Sequence, residues 1–437
     1  MEWQFALLLI FGSLVVMMIS GLPIAFGFML VNLIGVFLFF GGTIGLEQLI
    51  FSMAASVTYF ALLPLCLFVL MGEVLFHSGI GIKIIDALDK WLGRLPGRLG
   101  VLTVGGGALF STLTGWSITT VAILGEGLVP EMERRGYKKS MSLGPILGSG
   151  GLAIMIPPSD MAILLGAIGR ISIGRILIAI IVPGMLMAVL YAAYVIVRCR
   201  LQPSIAPSYK VPHVPLSEKL AVGARYILPV GVIVFLVIGV VFLGIATPTE
   251  AAATGAFGTF ILAAAYKRMN WGIAKKSVNG TVQLAVMLLM IIVGATAFSQ
   301  ILAFSGATKG LVEVITNLSL HPILIIIGMQ VIGIFLGMFM EQVSIMMITL
   351  PLFVPIILAL GFSPVWFAVI FLLNMEMATT TPPFGLALFV MKGVAPSDTT
   401  MGDIYKAALP FLGLDAIVMA LLIVFPMIAL WLPSIMR

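Results

Sequence analysis

The chain has 437 residues, of which 61% are hydrophobic and only 9% are charged, and its 23 Lys and Arg against 17 Asp and Glu give a net charge of +6. A soluble domain carries about 25% charged residues, so this composition excludes a soluble globular enzyme, a disordered chain and a nucleic-acid-binding protein. It indicates that the solvent of most of the chain is the lipid bilayer.

Charge-free apolar runs predict ten membrane-spanning helices, because about 20 apolar residues cross the hydrocarbon core. Two further apolar stretches, 99–130 and 322–358, are too long for one helix and short for two spans. Short amphipathic segments at 44–56 and 268–278 are predicted to lie in the membrane interface. The ten predicted spans cover roughly 4–20, 22–42, 57–79, 140–168, 177–198, 226–245, 250–266, 279–303, 363–391 and 408–432.

The stretch 99–130 is predicted to be a re-entrant hairpin. Its flanks, 80–98 and 131–139, are both rich in Lys and Arg, and cytoplasmic loops are enriched in these residues. The stretch therefore enters and leaves from the cytoplasmic side, with its tip between about Ser111 and Ser117.

The remaining basic segments extend this orientation to the second half. Segments 198–225 and 267–276 are also basic and are assigned to the cytoplasm. The stretch 322–358 then becomes a hairpin that enters from the periplasmic side. Arg170 and Arg175 fall on the periplasmic side in this scheme and are its main exceptions.

The two halves of the chain match at a constant offset of about 225 residues. Each half then contains five spans and one hairpin, and the odd number of spans inverts the second half. We therefore expect an all-α polytopic membrane protein of two inverted repeats, 1–200 and 226–437, joined by a cytoplasmic linker at 201–225. Inverted repeats with interrupted helices are typical of secondary transporters, with the site at the repeat interface. The matching landmarks are Pro23 with Pro248, Phe110 with Phe335, Pro130 with Pro355, and Pro157-Pro158 with Pro382-Pro383.

Each half carries two adjacent prolines inside a predicted span, within 140–168 and within 363–391. A broken helix in lipid occurs where it lines a cavity. Two prolines leave upstream carbonyls free to bind a hard cation, and the helix that resumes after them can hold an anionic group at its N-terminus. A simple proline kink is the alternative for either break taken alone.

The hairpin tips and one further acid supply the other candidate groups. Hydroxyl side chains concentrate between Ser111 and Thr120; with free carbonyls they suit Na⁺, and close helix packing is the alternative. Glu341 and Gln342 at the second tip are predicted deep in the membrane, where polar groups are usually functional. For Glu376, a structural pairing and a role in the site remain equally open.

Six short motifs follow one another along the chain: Gly21-Leu22-Pro23-Ile24-Ala25, Phe110-Ser111 through Ser117, Ile156-Pro157-Pro158-Ser159, Pro248-Thr249-Glu250-Ala251, Gly337-Met338-Phe339-Met340 and Thr381-Pro382-Pro383-Phe384-Gly385. In this order and over essentially the whole chain, they resemble the large membrane subunit of TRAP (tripartite ATP-independent periplasmic) transporters. They resemble the divalent-anion/sodium symporters more distantly.

The resemblance implies an elevator mechanism in which two or more Na⁺ ions are co-transported with a small organic acid. One ion would lie between the first tip and the first break, another between the second tip and the second break, and substrate between them. The implied Na⁺ ligands are Ser111, Thr114, Gly115, Gly150, Gly151, Pro157, Gly337, Met340, Thr379, Thr381 and Pro382. The candidate substrate-binding residues are Trp116, Ser117, Ser159, Asp160, Glu341 and Thr380.

The same resemblance implies two protein partners and a location. The partners are a small membrane subunit of about four helices and a soluble periplasmic protein that delivers substrate. The location is the inner membrane of a bacterium. A stand-alone anion/Na⁺ symporter that needs no binding protein is the alternative function. An intramembrane enzyme is disfavoured, because the intramembrane acids are scattered and no His lies in the middle of a span.

Three positions in the site depart from the family pattern: Trp116, Asp160 and the pair Glu341-Gln342. An extra carboxylate beside a carboxylate-binding gap disfavours a dianion by about 1 kcal/mol at 4 Å even in water. We therefore expect the cargo to be a zwitterion, or a monoanion with a cationic or hydroxylated tail, rather than a plain C4-dicarboxylate.

Overall fold

A computed structural model describes residues 3–39, 41–93, 95–114, 117–207 and 214–436, without the side chains of residues 19, 61 and 111–114. Within these ranges every element of regular secondary structure is a helix. The first half forms α1 (Trp3–Ile19), α2 (Ile24–Phe39), α3 (Thr43–Val57), α4 (Leu63–His77), α5 (Ile80–Trp91), α6 (Arg98–Thr114), α7 (Ser117–Arg134), α8 (Lys139–Met155), α9 (Asp160–Gly169), α10 (Ile173–Ala179) and α11 (Ile181–Leu201).

The second half continues with helices of similar length. A short helix and a π-helical turn at 223–227 lead into its first long helix. The helices are α12 (Leu216–Val222), α13 (Leu228–Phe242), α14 (Pro248–Ala265), α15 (Trp271–Phe304), α16 (Ala307–Thr316), α17 (Pro322–Gly337), α18 (Gln342–Ala359), α19 (Pro364–Thr380), α20 (Leu386–Val394), α21 (Met401–Val424) and α22 (Met427–Ser434).

Five helical segments among the described residues are long and apolar enough to cross a membrane. The number rises to seven when α4 with α5, bent by 70°, and α8 with α9, bent by 43°, each count as one span. Of the other predicted spans, 4–20, 22–42 and the start of 363–391 fall on apolar helices of 10–17 residues, and 250–266 falls on α14, which has 18 residues. The five segments are Ile173–Leu201, Leu216–Phe242, Trp271–Phe304, Gln342–Ala359 and Met401–Val424.

One predicted interfacial segment is not a separate helix. The segment 268–278 runs into α15, which continues without a break for 34 residues. The segment 44–56 does form a helix of its own, α3, which ends before a short 3₁₀ turn at 60–62. The two segments differ because α3 is followed by a turn, whereas α15 contains neither a proline nor a turn that would end a short helix.

The order of helices in 98–169 recurs in 322–394. In both stretches two helices joined by a short turn precede a long helix, a proline pair and a shorter helix, so that α6 to α9 correspond to α17 to α20. A glycine with positive φ precedes the short amphipathic helix before each stretch: Gly79 (φ 68°) before α5 and Gly306 (φ 76°) before α16. Both turns need a residue in the left-handed conformation, which glycine adopts at little cost.

The centre of the molecule is formed by α8 and α19. Every residue of α8 from Met141 to Met155 is buried, and so is every residue of α19 from Trp366 to Thr380. A helix that is apolar all round is typical of such a central position. Helices α6, α7, α11 and α21 pack around α8, while α2, α3 and α14 pack with α4 and α15 in a second group.

Candidate functional site

The first break lies between α8 and α9 and is closed to its surroundings. Pro157 and Pro158, joined by a cis peptide bond, are both buried. The hydroxyl of Ser159 caps α9 by accepting a hydrogen bond from the backbone N–H of Ala162 at 3.3 Å, as N-cap residues do. Asp160, in the first turn of α9, is only 2% exposed, so it does not line an open cavity wall.

Helix α11 packs directly on the carbonyl that ends α8. A Cβ atom added at Gly184 would lie 2.1 Å from the carbonyl oxygen of Met155. Only a glycine allows a neighbouring backbone to approach this closely. One of the carbonyls exposed by the first break is therefore covered by protein.

The second break follows three threonines whose hydroxyls turn back onto α19. The hydroxyl of Thr379 donates to the carbonyl oxygen of Glu376 at 2.8 Å. The hydroxyls of Thr380 and Thr381 both donate to the carbonyl oxygen of Met377, at 3.2 and 2.6 Å. Each hydroxyl oxygen keeps lone pairs that can bind a cation.

The chain after the second break is open. Pro382 is partly exposed, and Pro383 and Phe384 are exposed. Gly385 is the N-cap of α20 and offers no side-chain cap, so the first N–H groups of this helix are not satisfied by a cap. The hydroxyl of Tyr405 donates to the carbonyl oxygen of Pro383 at 2.7 Å, which fixes the loop from the α21 side.

The structure brings the first hairpin tip against α8. A Cβ atom added at Gly150 would lie 3.2 Å from the carbonyl oxygen of Ser117 and 3.6 Å from its hydroxyl oxygen. Ser117 is 3% exposed, and its hydroxyl has no hydrogen-bond partner among the described residues. A buried hydroxyl is costly without a partner, so the oxygen of Ser117 is a candidate cation ligand.

The rest of the first tip is less completely described. Ser111 and Thr114 lie in the last turn of α6, but their side chains are outside the described residues. Gly115 and Trp116 are outside them entirely. Gly151 is one residue beyond Gly150 in α8, on the side that faces α19.

The second hairpin tip packs against the end of α19. A Cβ atom added at Gly337 would lie 2.1 Å from Cβ of Ala378, the residue before Thr379. The amide of Gln342 donates to the carbonyl oxygen of Met375 at 2.9 Å and ties the tip to the same helix. The predicted residues Gly337 and Thr379 therefore do lie close together.

Glu341 and Met340 complete the second tip. Glu341 is the N-cap of α18, where one carboxylate oxygen accepts from the N–H of Ser344 at 3.3 Å. Its other oxygen is buried without a described partner. Met340 is half-buried and packs against the core. Sequence reasoning predicted a substrate role for Glu341, whereas its observed contact is helix capping.

The two broken helices meet at Gly151 and Glu376, which are equivalent positions at the offset of 225 residues. A Cβ atom added at Gly151 would lie 1.4 Å from a carboxyl oxygen of Glu376. Glu376 is fully buried, and neither of its carboxyl oxygens has a hydrogen-bond partner among the described residues. A structural pairing of the Glu376 carboxyl with another side chain is therefore not observed within the described part of the chain.

A second buried polar pair lies beside this meeting point. The hydroxyl of Tyr191 in α11 donates a hydrogen bond to the carboxyl of Asp415 in α21. Tyr191 is fully buried and Asp415 is 1% exposed. Sequence reasoning did not identify this pair. Its signal was the spacing of 224 residues, which places the two residues at nearly equivalent positions of the two halves.

Hairpin packing is also repeated between the halves. A Cβ atom added at Gly107 in α6 would lie 2.4 Å from Cβ of Ser149 in α8. A Cβ atom added at Gly333 in α17 would lie 2.7 Å from the amide oxygen of Asn374 in α19. In both halves, a glycine in the first helix of the pair (α6 or α17) thus leaves room for a polar side chain of the helix before the proline pair (α8 or α19).

Residues 11–428 match the protein family described as the DctM component of the tripartite ATP-independent periplasmic transporter. The chain is 31% identical over 379 residues to the C4-dicarboxylate TRAP transporter large permease protein DctM of Pseudomonas aeruginosa, covering 86% of this chain and 87% of that protein. It is 29% identical over 432 residues to the ectoine TRAP transporter large permease protein TeaC of Halomonas elongata, covering 96% and 97%.

The fold is also similar to that of a solved membrane transporter. The YdaH transporter of Alcanivorax borkumensis superimposes with a TM-score of 0.60 at 15% sequence identity, covering 90% of each chain. At this identity the similarity concerns the fold alone. Together with the apolar helices, these findings indicate a multi-pass membrane protein whose relatives are permeases.

Proposed function

Because the chain belongs to the DctM family of TRAP transporter large permeases, we propose that it carries out Na⁺-coupled secondary uptake of a small organic acid or zwitterion across the bacterial inner membrane. The observation that carries this proposal is the pair of proline breaks at equivalent places, each beside a hairpin tip. Interrupted helices at a repeat interface are where secondary transporters bind substrate and coupling ions.

We place one Na⁺ between the first tip and α8, and another between the second tip and the end of α19. The unpartnered hydroxyl of Ser117 beside Gly150 supports the first site. The hydroxyls of Thr379 and Thr381, next to Gly337, support the second. Hydroxyl and carbonyl oxygens bind a monovalent hard cation without adding net charge to the site. Na⁺ is here a transported ion, not a resident cofactor.

We propose that the halves are inverted repeats and that the unit around α8 and α19 moves as an elevator. The recurring helix order and the equivalent contacts at Gly107 and Gly333 support the repeat. The separate packing of α4 and α15 with α2, α3 and α14 supports a second body that stays fixed in the membrane.

The substrate class follows from the acids near the two breaks. Glu341 has a carboxylate at the N-terminus of α18, which would otherwise attract an anion, and Asp160 adds a buried carboxyl in the first turn of α9. A second negative charge on the substrate is disfavoured there. We therefore propose a zwitterion, or a monoanion with a cationic or hydroxylated tail.

A soluble periplasmic protein would deliver this substrate, and a small membrane subunit of about four helices would enlarge the fixed body. Both partners are proposed from membership of the family.

The test is uptake into proteoliposomes that contain the chain and its small partner subunit. An inward Na⁺ gradient is imposed with and without the purified, substrate-loaded binding protein. We expect uptake only when both Na⁺ and the binding protein are present. Na⁺-driven uptake without the binding protein would instead establish the stand-alone symporter, and uptake independent of Na⁺ would contradict the coupling.

A further inference from the structure

A cavity of about 660 Å³ lies between α3, α15 and the turn that follows α9. Its volume is within the range of pockets that bind small molecules. Its wall contains one charged side chain, Arg170, and no carboxylate among the described residues. The neutral polar groups of its wall include Gln48, Ser52, Thr296, Ser299 and Gln300.

Arg170 has an unusual backbone conformation and no acidic partner. Its φ is +52°, in the left-handed region that residues other than glycine seldom adopt. It ends α9 as its C-cap, where the helix dipole favours a cation. Within the described residues it forms no ion pair, and it is exposed. The helix end thus explains why a cation is tolerated there, but it leaves the guanidinium free to bind an anion.

Several neutral groups of the cavity wall are equally free. The side chains of Gln48, Ser299 and Gln300 make no hydrogen bond to another described residue, and all three line the same cavity. The hydroxyl of Thr296, by contrast, donates back to the carbonyl oxygen of Ile292 at 2.9 Å. A cation surrounded by free amides and a free hydroxyl suits a ligand with one acidic group and further polar groups.

The cavity lies at the end of α15 opposite its basic end. Gln300 is 24 residues beyond Lys276 in one continuous helix, which corresponds to about 36 Å. The hydrocarbon core is about 30 Å thick, so the cavity and the Lys-rich end are on opposite sides of the membrane. Since Lys and Arg mark the cytoplasmic side, the cavity faces the periplasm, and Arg170 is there despite the usual charge bias.

We infer that this cavity is the first site at which the chain binds substrate after the periplasmic binding protein has released it. Arg170 binds the single acidic group of a monoanion or zwitterion, and Gln48, Ser299 and Gln300 bind its hydroxyl, amide or amine groups. The inference rests on the proposed transport function. Its position suits it to this task, since α3 and α15 belong to one packed group, whereas α9 packs mainly against α10 and α18.

The first test measures the charge of the cavity without any substrate. Ala55, an exposed residue of its wall, is replaced by Cys in a chain whose Cys66 and Cys199 are changed to Ala. The rates of modification by anionic methanethiosulfonate ethylsulfonate and cationic methanethiosulfonate ethyltrimethylammonium are compared. We expect Arg170→Gln to lower the ratio of anionic to cationic rates at least about fivefold, because the sign of the reagent enters both rates.

The matched control is Arg175→Gln. Arg175 carries the same charge five residues later and is exposed, but it does not line the cavity. We expect it to leave the ratio unchanged, and Arg170→Lys to retain most of the wild-type ratio. Equal ratios for Arg170→Gln and Arg175→Gln would overturn the inference. Because labelling needs no transport, this result stands whether or not uptake is Na⁺-coupled.

The second test connects the cavity to transport. Uptake of ectoine, isethionate and succinate is measured in proteoliposomes with subsaturating amounts of loaded binding protein. For whichever probe the wild type transports, we expect Arg170→Gln to lower uptake about tenfold and Arg175→Gln to leave it near the wild-type rate. We also expect this probe to slow the labelling of Ala55→Cys. No uptake by the wild type would contradict the proposed function, whereas wild-type uptake that Arg170→Gln leaves unchanged would contradict this inference alone.

Discussion

The two proline breaks have the same plan but opposite surroundings. At the first, Pro157 and Pro158 are buried, and the following helix is capped by Ser159. At the second, Pro383 is exposed, and α20 starts at Gly385 without a side-chain cap. One break is therefore enclosed by its neighbours, while the other has exposed residues and starts its second helix without a side-chain cap.

The difference between the breaks assigns them different tasks. Unsatisfied N–H groups at a helix start attract an anionic group, so the second break is suited to exchange a ligand. At the first, Gly184 covers the carbonyl end of α8 and Ser159 satisfies the start of α9. This break is better suited to hold a bent helix in one shape. Variants that act on one break and spare the other test this division.

The largest effect is expected where the two broken helices meet. In Gly151→Ala the new Cβ would fall 1.4 Å from a carboxyl oxygen of Glu376, in a region with no exposed surface. Overpacking of a tight core usually costs about 1–3 kcal/mol and sometimes more, and we expect this variant to reach or exceed the upper value. Thermal unfolding of the detergent-solubilised protein measures the loss.

The matched control is Gly127→Ala in α7, where nothing lies within 4 Å of the added Cβ. We expect no loss of stability there, since Ala favours helix by up to about 1 kcal/mol over Gly. The double variant Gly151→Ala with Glu376→Ala removes the clash and should recover much of the stability. A Gly151→Ala variant as stable as Gly127→Ala would show that the helices do not meet as described.

The proline breaks and the family can be predicted from the sequence. Adjacent prolines cannot continue a helix, whatever surrounds them, so the positions at Pro157 and Pro382 follow from local chemistry alone. The full 34-residue length of α15 cannot be predicted in this way, because the few charges near its start are equally typical of a separate interfacial segment.

Contacts between distant helices could not be derived from the sequence in the same way. The sequence of α19 does not indicate which helix packs against Glu376, because apolar residues surround it on α19. Only the structure shows that Gly151 of α8 lies opposite it. Glu341 illustrates the opposite limit. An acid three residues before Ser344 can also accept a hydrogen bond from an N–H group in the first turn of a helix, and this capping contact is the one observed.

The next largest effect separates the two breaks. In Gly385→Ala the added Cβ would fall 2.4 Å from the carbonyl oxygen of Thr379, and in Gly184→Ala 2.1 Å from that of Met155. Both clashes are with backbone, which cannot rotate away. Because residues of the second break are exposed, we expect Gly385→Ala to reduce uptake at least tenfold and to lower the unfolding temperature less than Gly184→Ala does. Gly184→Ala should mainly lower the unfolding temperature.

The two variants are compared by uptake per correctly folded molecule. The folded fraction is taken from the monodisperse peak in size-exclusion chromatography. If Gly385→Ala unfolded as readily as Gly184→Ala and retained its uptake per folded molecule, the division between an exchanging break and a structural break would be wrong.

A smaller effect is expected from the threonine hydroxyls of the second break. Thr381→Val preserves the shape of the side chain but removes an oxygen that we place on Na⁺. A hydrogen-bond-like contact contributes about 0.5–1.5 kcal/mol, so the Na⁺ concentration for half-maximal uptake should rise up to about tenfold. Thr349→Val is the control, because the hydroxyl of Thr349 also donates to a helix carbonyl, that of Ile345 at 2.7 Å, but within α18 and not in a proline break. An equal response of the two variants would remove Thr381 from the ion site.

The smallest effect concerns the ion pair that links the start of α8 to the loop before α21. The ammonium group of Lys139 lies 2.7 Å from a carboxylate oxygen of Asp398, and its hydrogen bond lowers the pKa of that carboxyl. Because the pKa of Asp398 is lower in the folded chain, the pair stabilises the fold fully when the pH is above the ordinary pKa of an aspartate. This contribution is lost as the pH falls through the lowered pKa. Asp398 is exposed, so water and salt weaken the pair. We expect Asp398→Asn to lower the unfolding temperature slightly at neutral pH and low salt, with the difference from wild type vanishing in acid and in high salt. A difference that grew on acidification would require a different partner for this carboxyl, and the first break would then lack its ionic connection to the second half.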